Sequence, residues 1–325
     1  MKDFKVQAGN LWAFIAGILV FLISLYIEPK YLYGDQEHYR EFFNYCFYDG
    51  YSHTMQLFCY QNTLGSTEPG YFYLSKIAHL FLEKDIYISF ANSILVFLLI
   101  KLVFKWYENI WHRYFFIFLV LTNYYLIVLM FAAERLKFSF IFLVLALLVA
   151  KQWKRIIIFG LALFTHVQSA LLIATFFISK VLDKNTKLWV KIIISLICII
   201  GFTGAFLLMQ EHIVNKLGAY SEGTEEDGNG FISMIKTGVF IFLAGISTFR
   251  ILPVISGIPL VLLSYFLGSE RIGMLAFILY VCAVIYLALI LICRCSRSTM
   301  IRPSLAHNYY KKKKRQCGSY QKKYH

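Results

Sequence analysis

The sequence predicts an all-α polytopic membrane protein, and three observations support this class. Of the 325 residues, 59% are hydrophobic and only 15% are charged, whereas soluble domains carry about 25% charged residues. The mean hydropathy is +0.63. Apolar runs of nearly bilayer length recur along the chain, such as LWAFIAGILVFLISLYI and KIIISLICIIGFTGAFLLM. Because lipid offers no partner to an unpaired backbone group, these runs are expected to be helices.

Most of the predicted crossings are single helices, and they fall at 11–27, 86–104, 114–131, 136–150, 187–209, 231–249, 251–267 and 271–293. The first run ends without a small-residue cleavage pattern, so we interpret it as a retained helix rather than a signal peptide. The helix near 68–83 is too short and too polar to cross comfortably, and it is predicted to be re-entrant or interfacial.

The stretch 155–182 fits two interpretations. As one long helix, it gives an odd number of crossings and places the basic C-terminal tail outside, against the positive-inside tendency. Broken near Thr165 and His166, it becomes two short helices that return to the cytoplasmic face. The chain then has about ten crossings and both termini in the cytoplasm.

The charge distribution supports the same topology. The outer segment 28–67 carries five acidic and two basic residues, a net charge of −3, and the outer segment 211–230 carries five acidic residues and one basic, a net charge of −4. Residues 1–293 are therefore predicted to form a single transmembrane domain, and residues 294–325 a basic cytoplasmic tail. That tail holds ten Lys or Arg and no acid, so we expect it to contact anionic lipid rather than nucleic acid.

The cysteines show no metal-ligand spacing, and no Asp-x-Asp cluster is present. We therefore predict neither a metal nor a cofactor. Cys46 and Cys59 share the first outer segment, where they form either a disulfide, if the segment faces an oxidising compartment, or two reduced thiols.

Several charged or titratable residues are expected at the outer ends of helices or in the outer segments, namely Asp35, Glu68, Arg135, His166, Glu270 and Arg271. Charged groups at membrane depth are costly, and they usually line an interior cavity or pair with one another. Because these residues come from five separate segments and share one face, they are predicted to form a site.

Each of these residues also has a simpler interpretation. Arg135 and Arg271 follow a short turn and a glutamate, so each is either an interfacial anchor or part of an ion pair, or else an anion clamp, since guanidinium matches phosphate oxygens bidentately. His166 is either a satisfied interior residue or a proton shuttle or phosphate contact. Glu68 and Asp35 are either acids near a helix start and a turn, or members of the site.

The segment 39–60, YREFFNYCFYDGYSHTMQLFCY, is unusually aromatic for an outer segment. Aromatic faces pack on apolar surfaces, including the C–H faces of sugars, and phenol groups bond to hydroxyls. The alternative is an aromatic belt that lies on lipid.

The ordered motifs GDQEHY, EPGYFYLSK, ERLKFSF, THVQSALL and ERIGML, over about residues 34–280, resemble the EpsG-type, Wzy-like polysaccharide polymerases of bacterial inner membranes. The resemblance implies a GT-C-like fold and a glycosyltransferase that acts at the periplasmic face on undecaprenyl-diphosphate-linked oligosaccharides as donor and acceptor. Such an enzyme transfers a growing chain to the non-reducing end of the next repeat unit. A chain-length regulator protein is the expected partner.

The resemblance also implies roles for single residues. Arg135 and Arg271 would hold the diphosphate, His166 would lie beside it, and Glu68 and Asp35 would line the acceptor side. As our own hypothesis, one of these carboxylates, Glu68 in the first place, takes the proton of the acceptor hydroxyl as general base. The expected substrate contacts also include Tyr39, Tyr71, Tyr220 and Glu270. Ser139 stands where the family often has alanine, and in HVQS the serine follows the histidine less closely than is common in the family.

Two other functions remain open. One is an O-antigen ligase or another transferase of lipid-linked sugars, which shares this design. The other is a flippase for the lipid-linked oligosaccharide. A flippase is expected to have polar groups along a path through the bilayer and paired broken helices, whereas this sequence predicts polar groups at one face and one break.

Overall fold

The computed structural model describes residues 2–32, 34–66, 68–107, 110–166 and 229–248, with single positions and pairs between 169 and 277. The chain forms two compact units, Met1–Ala170 and Leu171–His325. Every regular element in the described ranges is a helix, which confirms the all-α class.

The first unit contains nine α-helices in its described residues, and a short 3-10 turn, Glu28–Lys30, follows the first of them. They are α1 Lys2–Ile27, α2 Asp35–Tyr45, α3 His53–Leu64, α4 Pro69–His79, α5 Lys84–Trp106, α6 Ile110–Thr122, α7 Tyr124–Phe131, α8 Glu134–Leu148 and α9 Gln152–Thr165. In the second unit, the described helix α10 spans Asn229–Thr248.

Two helices in the described ranges, Gly9–Lys30 and Lys84–Trp106, are long and apolar enough to cross a membrane. A third span is possible if Arg113–Thr122 and Tyr124–Phe131 cross together. α8 has 15 residues and α9 has 14, fewer than the about 20 that a perpendicular crossing needs. The predicted spans 187–209, 251–267 and 271–293, and the tail 294–325, lie largely outside the described residues, so the total of about ten crossings stays a prediction.

The predicted crossing 114–131 consists of two helices rather than one. The chain bends by 50° between α6 and α7. The cause is local, because Asn123 is extended and its side-chain oxygen accepts a hydrogen bond from the backbone N–H of Leu126 at 3.2 Å. An asparagine that caps a new helix in this way competes with continuation of the old one.

The break predicted near Thr165 is confirmed. α9 ends at that residue, and His166 has an extended backbone with φ −159° and ψ 120°. His166 therefore follows the end of α9 and is not part of a continuous helix. The second half of the predicted pair lies mostly outside the described residues.

The segment between α1 and α4, which is predicted to be an outer one, is a helical hairpin, which we call the cap (residues 35–64). Ser52 starts α3 by accepting a hydrogen bond from the backbone N–H of Met55, and Gly65 ends it in the left-handed conformation with φ 55°. A disulfide joins Cys46 to Cys59, whose Cα atoms are 5.5 Å apart. This answers the question that the spacing of the two cysteines left open.

About half of the aromatic residues of the cap neither lie on lipid nor face outward. They form a buried core with α4 that contains Tyr39, Phe42, Phe43, Phe47, Tyr60, Tyr71 and Phe72. Their rings meet edge-on or tilted, as Phe42 and Tyr60 do at 4.9 Å between ring centroids. The spacing of Tyr39, Phe42 and Phe43 is the i, i+3, i+4 pattern of an amphipathic helix. Other aromatic residues of the cap, such as Tyr45 and Phe58, are exposed.

The remaining helices of the first unit form a packed row. α1 packs along α5, α5 contacts α8, and α8 packs along α9, while the start of α4 contacts α9. This arrangement brings the starts of α4 and α8 and the end of α9 to one place.

Candidate active site

The close approach of α4 to α9 depends on a glycine. Pro69 is the first helical residue of α4, and Gly70 follows it. A Cβ on Gly70 would stand 2.7 Å from the backbone carbon and oxygen of Phe164 and from the nitrogen of Thr165. Real Cβ atoms do not approach backbone so closely, so only glycine allows the two helix ends to touch here.

Three of the residues predicted to form a site meet at this contact. An oxygen of Glu68 is 3.0 Å from a terminal nitrogen of Arg135. The other oxygen is 2.7 Å from Nδ1 of His166. These side chains are only 7–15% exposed. The interpretation of Arg135 as part of an ion pair therefore holds, with Glu68 as its partner. We call these three residues the outer trio.

Polar groups of the cap and of its link to α4 hold the outer trio in place. Ser66 donates a hydrogen bond to the Glu68 carboxylate at 2.6 Å. The buried hydroxyl of Tyr60 donates to the backbone carbonyl of Glu68 at 3.0 Å. Nε of Arg135 donates to the hydroxyl of Tyr39 at 3.4 Å. The cap thus fixes both the acid and the guanidinium.

The surroundings keep Glu68 ionised. Burial by itself disfavours the charged carboxylate, but the hydrogen bond and charge of His166, together with the charge of Arg135, outweigh it and lower the pKa of Glu68 well below its usual range. A carboxylate with so low a pKa is a weak base, and it is well suited to accept the Nδ1–H of His166. That hydrogen bond fixes the orientation of the imidazole.

The comparisons with known proteins agree with the geometry. The family model of the EpsG family matches residues 10–317. The chain belongs to the EpsG family. It is therefore a membrane protein of a polysaccharide-polymerase-like, glycosyltransferase-like family. Neither the search of curated proteins nor that of solved structures found a match.

This EpsG-family protein contains a second polar network, which the sequence did not lead us to expect. It is a buried charge cluster of two acids and two lysines, Glu28, Lys84, Glu134 and Lys137, each 0–5% exposed. Lys84 is 3.0 Å from Glu134. Burying charges is costly unless they are paired and hydrogen-bonded. The signal for this cluster was the presence of lysines near the ends of apolar helices.

Neutral side chains complete the hydrogen bonds of the buried charge cluster. Tyr71 donates to Glu134 at 2.7 Å. Lys84 donates to the amide oxygen of Gln36 at 2.8 Å, and Lys137 donates to the amide oxygen of Asn92 at 2.8 Å. Asn92 also donates to Glu28 at 3.3 Å. The cluster thereby joins the 3-10 turn after α1 to α2, α4, α5 and α8.

Glu134 and Arg135 are neighbours in sequence but belong to different networks. With 3.6 residues per turn, consecutive side chains of a helix point about 100° apart. Glu134 turns into the buried charge cluster, and Arg135 turns toward Glu68. The start of α8 therefore links the two networks.

The other predicted site residues have different positions. Asp35 is the exposed first residue of α2, and Tyr39 and Tyr71 are 4% and 0% exposed in the aromatic core. Their contact with a substrate stays a prediction. The remaining three candidates, Tyr220, Glu270 and Arg271, lie outside the described residues, as does the outer segment 211–230 apart from its last two positions.

Ser139 donates a hydrogen bond to the backbone carbonyl of Ala162 at 3.0 Å. The serine thus ties α8 to the last turn of α9 close to His166.

In the described part of the chain, no group of three or more His, Cys, Asp or Glu is suited to hold a metal ion.

Proposed function

We propose that this EpsG-family protein is a polymerase. It transfers a growing polysaccharide from undecaprenyl diphosphate to the non-reducing end of another lipid-linked repeat unit, at the periplasmic face of the bacterial inner membrane. The observation that carries this proposal is the outer trio, in which Glu68 contacts Arg135 and His166. A guanidinium can bind an anion, and an imidazole can accept a proton. The proposed transfer of a sugar from a diphosphate requires both.

Arg135 is the proposed ligand of the leaving diphosphate. Its bonds to Tyr39 and Glu68 use two of the five N–H donors of a guanidinium. The others are proposed to meet the negative charge that develops on the diphosphate as its bond to the sugar breaks. Arg271 is proposed as a second clamp. Two arginines supply this charge stabilisation without a metal or a cofactor.

His166 is the proposed general base. Glu68 is the base of our sequence-based hypothesis, but its lowered pKa and its contacts with Arg135 and His166 favour a positioning role. In the proposed step, the acceptor hydroxyl oxygen attacks the anomeric carbon of the donor and gives its proton to the imidazole of His166. The bond between that carbon and the diphosphate oxygen breaks, and the diphosphate leaves with the electron pair. The carboxylate of Glu68 holds the imidazolium that forms.

The disulfide supports a periplasmic position of the site. Disulfides persist in oxidising compartments such as the bacterial periplasm, and the disulfide of Cys46 and Cys59 closes the cap that contacts the outer trio. With the site in the periplasm, we propose that both termini are cytoplasmic and that the basic tail contacts anionic lipid. We also propose that a chain-length regulator acts with the enzyme.

One observation favours the flippase alternative. With the bend at Asn123, the described residues contain two helix interruptions rather than one, and paired broken helices are typical of transporters. An O-antigen ligase would use the same outer trio with a different acceptor. The accumulated product separates these functions, because loss of a polymerase leaves single repeat units attached and loss of a ligase leaves none.

The experiment that tests the proposal is complementation of a strain that lacks this gene with Arg135→Ala. We expect single repeat units in place of the polysaccharide ladder, at normal membrane levels of the protein. Arg113→Ala is the matched control, because Arg113 bonds to the carbonyl of Tyr107 and packs on Phe104. A full ladder with Arg135→Ala would contradict the proposal.

A further inference from the structure

A second polar site lies at the end of α4, whereas Glu68 of the outer trio precedes the start of that helix. A cavity of about 530 Å³ opens between α2 and the turn that joins α4 to α5 (residues 80–83), and Lys84 forms part of its wall. We call it the elbow cleft. Arg40 and Asn44 line it from α2, and His79 and Phe81 line it from the end of α4 and the turn. The mechanism proposed above uses none of these side chains.

The cations of the elbow cleft are already paired with acids, and Glu83, which also lines the cleft, is exposed to solvent. Arg40 pairs with Asp85 at 2.7 Å, and Lys84 pairs with Glu134 at 3.0 Å. A site for phosphate would instead present cations that lack an acidic partner. The cleft is therefore suited to a ligand that is polar but carries no net charge.

The walls of the cleft combine apolar faces with open hydrogen-bonding capacity. The side chain of Arg40 is 19% exposed, although it pairs with Asp85. The imidazole of His79 packs edge-on against the ring of Phe43, 5.2 Å between centroids. The amide of Asn44 is exposed and can both donate and accept. Alternating aromatic and amide or guanidinium groups match the C–H faces and hydroxyls of a sugar.

The position of the cleft suits a sugar attached to a lipid. The turn beside it exposes Leu80 and Phe81, which are 69% and 78% accessible. Such apolar side chains at the outer end of α5 are expected to enter the outer leaflet, while the polar wall stays above it. A lipid-linked saccharide has this same division between a polar head and an apolar tail.

We propose that the elbow cleft is a saccharide subsite, which holds a neutral sugar of the lipid-linked oligosaccharide while the outer trio acts on the diphosphate. The source of the sugar rests on the proposed function, but binding in the cleft does not. Lys84 connects the two places, because it lines the cleft and pairs with Glu134, the residue before Arg135. A sugar in the cleft thereby lies against the residue that anchors the start of α8.

The test is photochemical capture of the sugar by the full-length protein in cells that make the lipid-linked oligosaccharide. The photoreactive amino acid p-benzoylphenylalanine replaces Phe81, and in a matched control it replaces Leu80, the exposed neighbour that does not line the cleft. After irradiation, the purified protein is stained for glycan. We expect a glycan-bearing band at position 81 that is at least about tenfold stronger than at position 80. It should disappear in cells that cannot make the lipid-linked oligosaccharide.

A second pair of variants ties the captured glycan to the wall of the cleft. Asn44→Ala is expected to reduce capture at position 81 several-fold. Tyr45→Ala, at the exposed neighbour outside the cleft, is expected to leave it unchanged. Absence of glycan at position 81, equal capture at positions 80 and 81, or no effect of Asn44→Ala would overturn the saccharide subsite.

Arg135→Ala separates this proposal from the proposed function. Glycan captured at position 81, together with a full polysaccharide ladder in Arg135→Ala, would keep the subsite and overturn the polymerase mechanism. Loss of the ladder in Arg135→Ala without capture at position 81 in the parent protein would do the reverse.

Discussion

The outer trio and the buried charge cluster are built from the same kinds of side chains and meet at the start of α8, yet their surroundings differ. The four charged residues of the cluster are 0–5% exposed and balance one another. The trio is 7–15% exposed and lies beneath the cap. A closed and balanced cluster holds helices together, whereas a partly accessible group of charges can meet a substrate. We therefore expect burial to separate the structural role of the cluster from the proposed chemical role of the trio.

The largest effect is expected from breaking the buried charge cluster. Glu134→Gln keeps an acceptor for Tyr71 but leaves the buried charge of Lys84 without its partner. Removing one member of a buried pair costs about 3–5 kcal/mol. Thermal unfolding in nanodiscs should show this loss, while Glu41→Gln, at an exposed site of α2, should change little. Equal stability of the two variants would contradict a structural role for the cluster.

The outer trio should respond in the opposite way. Glu68→Gln keeps an oxygen for the Nδ1–H of His166 but removes the charge that stabilises the imidazolium. We expect polymer synthesis to fall by about 10²-fold, the lower end of what acid–base catalysis contributes. The unfolding temperature should change less than in Glu134→Gln. A variant that is unstable but fully active at permissive temperature would reverse the roles assigned to the two networks.

The contact between α4 and α9 offers a further test of the trio. Gly70→Ala places a Cβ against the backbone of Phe164 and Thr165, so Glu68 must move away from His166. A displacement of about 1 Å at a reacting group costs on the order of 10²-fold in rate. Gly160→Ala is the matched control in α9, because its added Cβ meets nothing within 4 Å. Unchanged synthesis in Gly70→Ala would show that the contact is dispensable.

The smallest effect concerns acid. The pKa of Glu68 is lower in the folded protein than its ordinary value of 4.5, so its ion pairs stabilise the fold above that value. This contribution is lost as the pH falls below about 4.5 toward the folded pKa. Unfolding measured between pH 6 and pH 3 should therefore show a smaller acid-induced loss in Glu68→Gln than in the parent. Parallel curves would indicate that Glu68 is not held ionised.

The sequence predicted that Glu68, Arg135 and His166 form one site, because charged side chains at membrane depth usually line an interior cavity or pair with one another. It did not find the buried charge cluster, because Lys84 pairs with Glu134, 50 residues away, and Lys137 bonds to Asn92, 45 residues away, on other helices. Such pairings depend on how helices pack, and this is not visible in a single helix.

The bend at Asn123 and the helices of the cap were missed for a local reason. One asparagine within an apolar run is a weak signal against the strong tendency of the run to continue as a helix. In the cap, the high number of aromatic residues suggested contacts with lipid or sugar. Their i, i+3, i+4 spacing, which predicts an amphipathic helix, was the more informative property.

The aromatic core of the cap and the helices α1 and α5 are expected to pack in two different solvents. On the proposed topology, the rings of Phe42, Tyr60 and Phe72 are withdrawn from water, so burial itself drives their packing. The helices α1 and α5 pack within lipid, where apolar burial adds no driving force and close fit must suffice. The cap is thus expected to keep its shape in detergents that loosen the helices below it. The effect of enlarging a side chain on stability is therefore expected to depend on contact with water in the cap and on contact with lipid in α1 and α5.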